Sequence, residues 1–222
     1  MRSLLRFLDH PKTTFYNYLF RMGFRYPSYQ EWESRQYAAP SPYFIKLACL
    51  MRNSIPNATW VETGTYLGDT TEKLASVGNI VYSIEPEPNL FENAKNRFQN
   101  FENIHIIKGV SESVLPKLLP GLSGDVCFWL DGHFSGGITY KGDQSTPILD
   151  ELTCISEHMS HMDRVVIMID DVRCFSQMTE RHANYPPLDS LVEWTRKNRC
   201  SWHIEHDIFF AKIINTTITD KI

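Results

Sequence analysis

Val61-Glu62-Thr63-Gly64-Thr65-Tyr66-Leu67-Gly68-Asp69-Thr70-Thr71 is the stretch whose reading decides the fold. A short buried strand, Thr59 to Glu62, runs into a glycine turn, and the polar residues after Gly68 open a helix. A glycine turn straight after a buried strand lets a ligand approach the backbone closely. The spacing Gly64-x-x-x-Gly68 is not the Gly-x-Gly-x-x-Gly of a dinucleotide turn, and it lacks the Gly-Lys-Ser/Thr of a phosphate loop. Glu62, inside the turn, would repel a pyrophosphate. A ligand with a positive amino-acid end would be welcome there.

Working outward, helices and strands alternate. A helix over about 43–54 precedes the first strand, and another covers 69–77 after it. Ile80–Ile84 reads as the second strand, and the helix after it, over 87–100, carries Leu90, Ala94, Phe98 and Phe101 at helical spacing. Ile104–Ile107 is the third strand, with a helix over 111–119, and Val126–Leu130 is the fourth. Thr146-Pro147 opens a further helix with a capping hydroxyl, a first-turn proline, and Asp150 and Glu151 at the positive end of the dipole. Arg164–Ile169 is the fifth strand, and Pro187–Val192 a last helix. Ser201–His206 and Ile208–Ile213 are joined so tightly that they must pair antiparallel. The expectation is an α/β protein with a doubly wound, mostly parallel sheet closed by an antiparallel hairpin. Ligands then bind beyond the carboxyl ends of the strands, where strand order reverses.

Glu85 ends the second strand about twenty residues after the turn, a place suited to hydrogen-bonding both hydroxyls of a ribose. A glutamate capping a helix before Pro86 is the plainer reading of Glu85 alone. Turn acid and ribose acid together describe a nucleoside joined to an amino acid.

Glu62-Thr-Gly64-Thr-Tyr-Leu-Gly68, Ser83-Ile-Glu85 and Gly109-Val-Ser-Glu-Ser-Val-Leu-Pro116 resemble the successive motifs of class I S-adenosylmethionine-dependent methyltransferases. The resemblance covers about 57–213 and implies a Rossmann-like sheet of seven strands. It implies S-adenosyl-L-methionine as cofactor, with Glu62, Gly64, Thr65 and Gly68 at the methionine end and Glu85 on ribose. Val110, Ser111 and Glu112 would border adenine, and Asp131 would also contribute to the cofactor site.

The fourth strand ends in Trp129-Leu-Asp131-Gly-His133 and the fifth in Ile169-Asp170-Asp171. Neighbouring strands would bring three carboxylates together, and a divalent cation such as Mg²⁺ is the usual means of neutralising them. The alternative is one helix cap and one surface ion pair. An acid after strand four with an acidic pair after strand five is also similar to metal-dependent O-methyltransferases of the macrocin and catechol kinds. That likeness implies a hydroxyl of a sugar, glycoside or other small molecule as the acceptor. The catechol-type lysine is missing, since Phe134 stands in its place, and a polar insert from Gly132 to Ser145 follows. His133, with a free pKa near 6.5, suits proton removal, and Lys141 would bind an anionic group or serve as an alternative base. The competing readings are a metal-independent N- or carboxyl-methyltransferase and a catalytically idle binding subunit.

The composition fits. The 222 residues carry 22 Lys+Arg against 26 Asp+Glu, a net charge of −4, which argues against a protein that coats nucleic acid. Charged residues interrupt every apolar run before membrane-spanning length. Five cysteines, none in a Cys-x-x-Cys pair, point to a reducing, cytoplasmic setting. Residues 1–42 form a separate aromatic-rich segment, expected to cap the main domain at 43–222 or to join two copies as a homodimer.

Overall fold

The computed structural model describes residues 27–132, 146–176 and 185–214. Its elements run α1 (Pro27–Ser34), α2 (Tyr43–Asn53), β1 (Thr59–Thr63), α3 (Asp69–Ala75), β2 (Ile80–Glu85), α4 (Pro88–Arg97), β3 (Ile104–Lys108) and α5 (Ser111–Leu118). They continue with β4 (Gly124–Leu130), α6 (Ile148–His158), β5 (Met162–Ile169), α7 (Leu188–Lys197), β6 (Ser201–Glu205) and β7 (Ile208–Ile214). The seven strands lie in the order β3-β2-β1-β4-β5-β7-β6. β1 to β5 are parallel, β7 is antiparallel to both β5 and β6, and the expected Rossmann-like α/β sheet is present.

Alternation along the strands divides the core into two layers. Trp60, Val81, Cys127, Trp129 and Val166 face α2 and α3, together with Cys49, Leu50 and Leu74. Val61, Phe128, Val165 and Ile167 face the other way, against Leu115, Leu152, Ile155 and Leu191 of α5, α6 and α7. The same alternation sends Glu62 toward α3 and Thr63 toward α6. The chain runs from β1 out to β3, then returns to β4 on β1's other side, so strand order reverses between β1 and β4.

Local details depart from the sequence reading in two places. α6 starts one residue later than expected, with Pro147 at its N-cap and no side-chain capping bond from Thr146. Phe101 lies beyond the end of α4, 42% exposed, with its ring edge-on to the buried Phe98. Of the aromatic N-terminal set, Trp32 is buried edge-on to Tyr37 and to His206 of the β6–β7 turn. Phe15, Tyr16, Tyr18, Phe20, Phe24 and Tyr26 lie outside the described residues. Among the described residues no helix is long and apolar enough to cross a membrane.

Candidate active site

The turn after β1 rests on a chain of hydroxyls. Thr71 Oγ1 and Ser83 Oγ both donate to Glu62 Oε2, at 2.5 and 2.6 Å. Ser83 Oγ also pairs with Thr65 Oγ1 at 2.6 Å, and because its own proton is committed to Glu62, Thr65 is the donor. Glu62 is fully buried, and among the described residues its Oε1 has no hydrogen-bond partner. Burial pushes this carboxyl up to about 7, against the pull of the two hydroxyls.

Glu85 joins two turns. Its Oε2 accepts from the Tyr66 amide at 2.8 Å and its Oε1 from the Glu87 amide at 2.9 Å. Burial raises its pKa, partly offset by these amides. Glu85 is not the helix cap. Glu87 fills that position, accepting from the Leu90 amide at 2.6 Å. Each Glu85 oxygen keeps a further lone pair for a hydroxyl donor.

The two glycines of the turn meet the chain itself. A Cβ on Gly64, at φ +89°, would stand 2.8 Å from the Asp131 carbonyl oxygen. One on Gly68, at φ +84°, would stand 2.6 Å from the Phe98 ring. Arg97 grips the same turn, donating to the Leu67 carbonyl and to Asp69 and Glu72. Close approach by the β4 end and by α4 thus accounts for both glycines.

At the reversal point the Asp131 amide donates to the Thr63 carbonyl at 3.1 Å. A Cβ on the next residue, Gly132, would lie 3.1 Å from Thr63 Oγ1 and 3.6 Å from Glu151 Oε1. Glu151, in the first turn of α6, is 2% exposed. Ser111, at the start of α5, and Thr63 face it with hydroxyls that favour its charged form, yet among the described residues Oε1 has no hydrogen bond. Burial, with lesser contributions from Glu112 and Asp150, pushes Glu151 up to about 7. Among the described residues, the buried side-chain oxygens without a partner are Glu62 Oε1, Thr63 Oγ1 and Glu151 Oε1. All three flank the end of β1.

The β5 end is arranged differently. Lys46 of α2, 12% exposed, donates to Asp170 at 2.6 Å and Asp171 at 2.7 Å, and lies 3.7 Å from Asp207. Arg173 holds Asp171 at 2.5 Å and also pairs with Asp207. Lys46 and Arg173 are both held protonated by these acids. At Asp170 and Asp171 an ammonium and a guanidinium therefore supply the positive charge that the sequence reading assigned to Mg²⁺ held by these two and Asp131. Among the described residues no group of three or more His, Cys, Asp or Glu side chains forms a metal site.

The fold thus gathers Glu62, Gly64, Thr65, Gly68, Glu85, Ser111 and Asp131 around the carboxyl ends of β1 to β4. His133 and Lys141 lie outside the described residues. Sequence reasoning missed Lys46, Arg173 and Glu151 as site residues. Glu151 did leave a signal, because Ile148, Glu151, Leu152 and Ile155 form one buried stripe at helical spacing.

No protein-family model matches the sequence, and no curated protein matches it. Solved structures resemble the chain in fold. The N-methyltransferase NodS from Bradyrhizobium japonicum WM9 gives a TM-score of 0.51 at 13% identity, over 78% of this chain and 95% of that one. A candidate rRNA-methylase from Clostridium thermocellum gives 0.52 at 13% identity, over 77% and 95%. What the chain shares with both is the fold.

Proposed function

We propose that this protein is an S-adenosylmethionine-dependent methyltransferase. The observation that carries the reading is the bridge made by Glu85, which ties the glycine turn after β1 to the turn after β2 and leaves acceptor capacity toward a ribose. A backbone cradle, a ribose acid and a buried turn acid then meet at the point where this fold binds ligands.

The residues fit the cofactor. Glu85 would take the ribose hydroxyls, and Glu62, with one unpaired oxygen under the turn, would face the ammonium of the amino-acid end. Gly64, Thr65 and Gly68 shape that end, and Ser111 would border the adenine. The bound group supplies an electrophilic methyl on a positively charged sulfur. Asp131, at the β4 end, would face the acceptor. We assign the acceptor as a hydroxyl of a small molecule, a sugar or glycoside first, on the polar insert that follows Asp131. The proton-accepting roles of His133 and Lys141 rest on their place in that insert. Mg²⁺ has no part in the proposal, because Lys46 and Arg173 already engage Asp170 and Asp171.

Calorimetry with S-adenosylhomocysteine tests the reading. The unmutated protein should bind it, and Glu85→Ala should weaken binding by about 1–3 kcal/mol, the loss of a charged acceptor. No binding by the unmutated protein removes the proposal.

A further inference from the structure

The buried acids of this protein fall into two kinds. Asp170, Asp171 and Asp207 have their own cations in Lys46 and Arg173. Glu62 and Glu151 have hydroxyls and an unpaired oxygen, and neither is in an ion pair among the described residues. An ionised carboxylate taken out of water without a cation is costly. Among the described residues no cation answers either acid, which leaves each able to stay protonated when unliganded and to receive a cationic ligand.

They stand on opposite sides of β1. Glu62 is under the turn toward α3, whereas Glu151 sits toward α6 beside Gly132, at the β4 end. The donor cofactor carries two cationic groups, an ammonium at the end of its amino-acid chain and a sulfonium at the reacting centre. Its product, S-adenosylhomocysteine, keeps the ammonium, and its sulfur is neutral. Resting on the methyltransferase reading above, with Glu62 at the ammonium, we infer that Glu151 is the countercharge to the sulfonium. It is then the residue by which the site holds S-adenosylmethionine and releases the spent product.

The groups around Glu151 agree with this. Burial, joined by the like charges of Glu112 and Asp150, outweighs the Ser111 and Thr63 hydroxyls that favour its charged form, so that unliganded it is held largely protonated up to near neutral pH. A sulfonium beside it would draw its pKa down and ionise it. A neutral thioether would not. Every pKa unit of that draw corresponds to about a tenfold preference for the sulfonium form above pH 7.

The test compares S-adenosylmethionine with S-adenosylhomocysteine by calorimetry, across about pH 5.5 to 8.5 and in buffers of different ionisation enthalpy. In the unmutated protein the affinity ratio should rise with pH and level off above about 7, and below that point the sulfonium ligand should release more protons than the thioether. Glu151→Gln should flatten the ratio and abolish the difference in proton release while leaving affinity for S-adenosylhomocysteine within about twofold. Glu62→Gln should weaken both ligands alike. A ratio that does not change with pH in the unmutated protein overturns the inference, and it requires no variant to fold. So does a Glu151→Gln protein that keeps the unmutated ratio. If the unmutated protein binds neither ligand, the methyltransferase reading itself fails, an outcome distinct from these.

Discussion

Lys46→Met removes the ammonium that holds Asp170 and leaves Arg173 for Asp171 and Asp207. Methionine nearly matches the lysine stem in volume, so the change acts on charge more than on packing. Breaking a buried pair from one side costs about 3–5 kcal/mol, and Lys46 and Asp170 are only 12% and 11% exposed. Asp170 has one escape, which is to take a proton. Against an unfolded pKa near 3.9, that costs about 5 kcal/mol at pH 7.5 and about 1.5 kcal/mol at pH 5. Burial and the Asp171 charge already push Asp170 upward, and losing Lys46 pushes it further. A carboxyl whose folded pKa is raised loses stability as pH climbs from its unfolded to its folded value. The deficit of Lys46→Met should therefore be about 3–5 kcal/mol near pH 7.5 and under about 2 kcal/mol near pH 5. Urea unfolding at the two pH values, with unchanged slope, measures it. A loss below about 1 kcal/mol, or one that does not vary with pH, would refute the reasoning and reduce the cluster to surface-like pairs.

Gly68→Ala should cost about 1–2 kcal/mol for a side chain held at positive φ, with more from the Phe98 ring, and thermal unfolding would show it. Arg97→Ala removes partly exposed ion pairs, so stability should change by under about 1 kcal/mol. Its affinity for S-adenosylhomocysteine, read by calorimetry, should fall several-fold because the Leu67 carbonyl loses its clamp. Glu62 and Glu151, both raised to about 7, add stability below pH 4.5 that is lost as pH rises to 7. The ligand-free protein should thus be more stable near pH 5 than near pH 8, by up to about 3 kcal/mol for each acid. Glu151→Gln should remove that residue's share in chemical denaturation.

The strands in sequence, the glycine turn and the acids at the strand ends could all be read in the sequence because each is a local pattern. Alternating apolar runs fix the strands, and the acids follow them within a residue or two. The partners of those acids are another matter. Asp170 and Asp171 read as a metal pair because only Arg173, two residues on, answers their charge locally, on Asp171, and the lysine that holds both lies 124 and 125 positions away. Lys46 sits among Phe44, Ile45, Leu47 and Ala48, where a lone charge is a hint that something will meet it. Glu151 looked like a dipole residue because Asp150 beside it is one, and only the buried stripe of α6 tells the two apart. The glycines were read as room for a ligand, yet they also admit Asp131 and Phe98, a contact between segments no local spacing reveals.

The Lys46 cluster also bears on the order in which the chain can settle during synthesis. α2 emerges early, carrying a lysine that lacks its counter-ions until β5 has been made, and the cluster is complete only when Asp207, between the last two strands, has left the ribosome. Contacts this distant in sequence close late, after the loops between them have been ordered. A nascent chain halted before residue 170 would hold α2 by its apolar face, through Cys49 and Leu50, and by the Tyr43–Thr70 hydroxyl contact, without the Lys46 ion pairs. Arrested chains of increasing length should therefore show α2 gaining protection from proteolysis in two steps, one as β1 and β4 form and a second when the β6–β7 hairpin arrives.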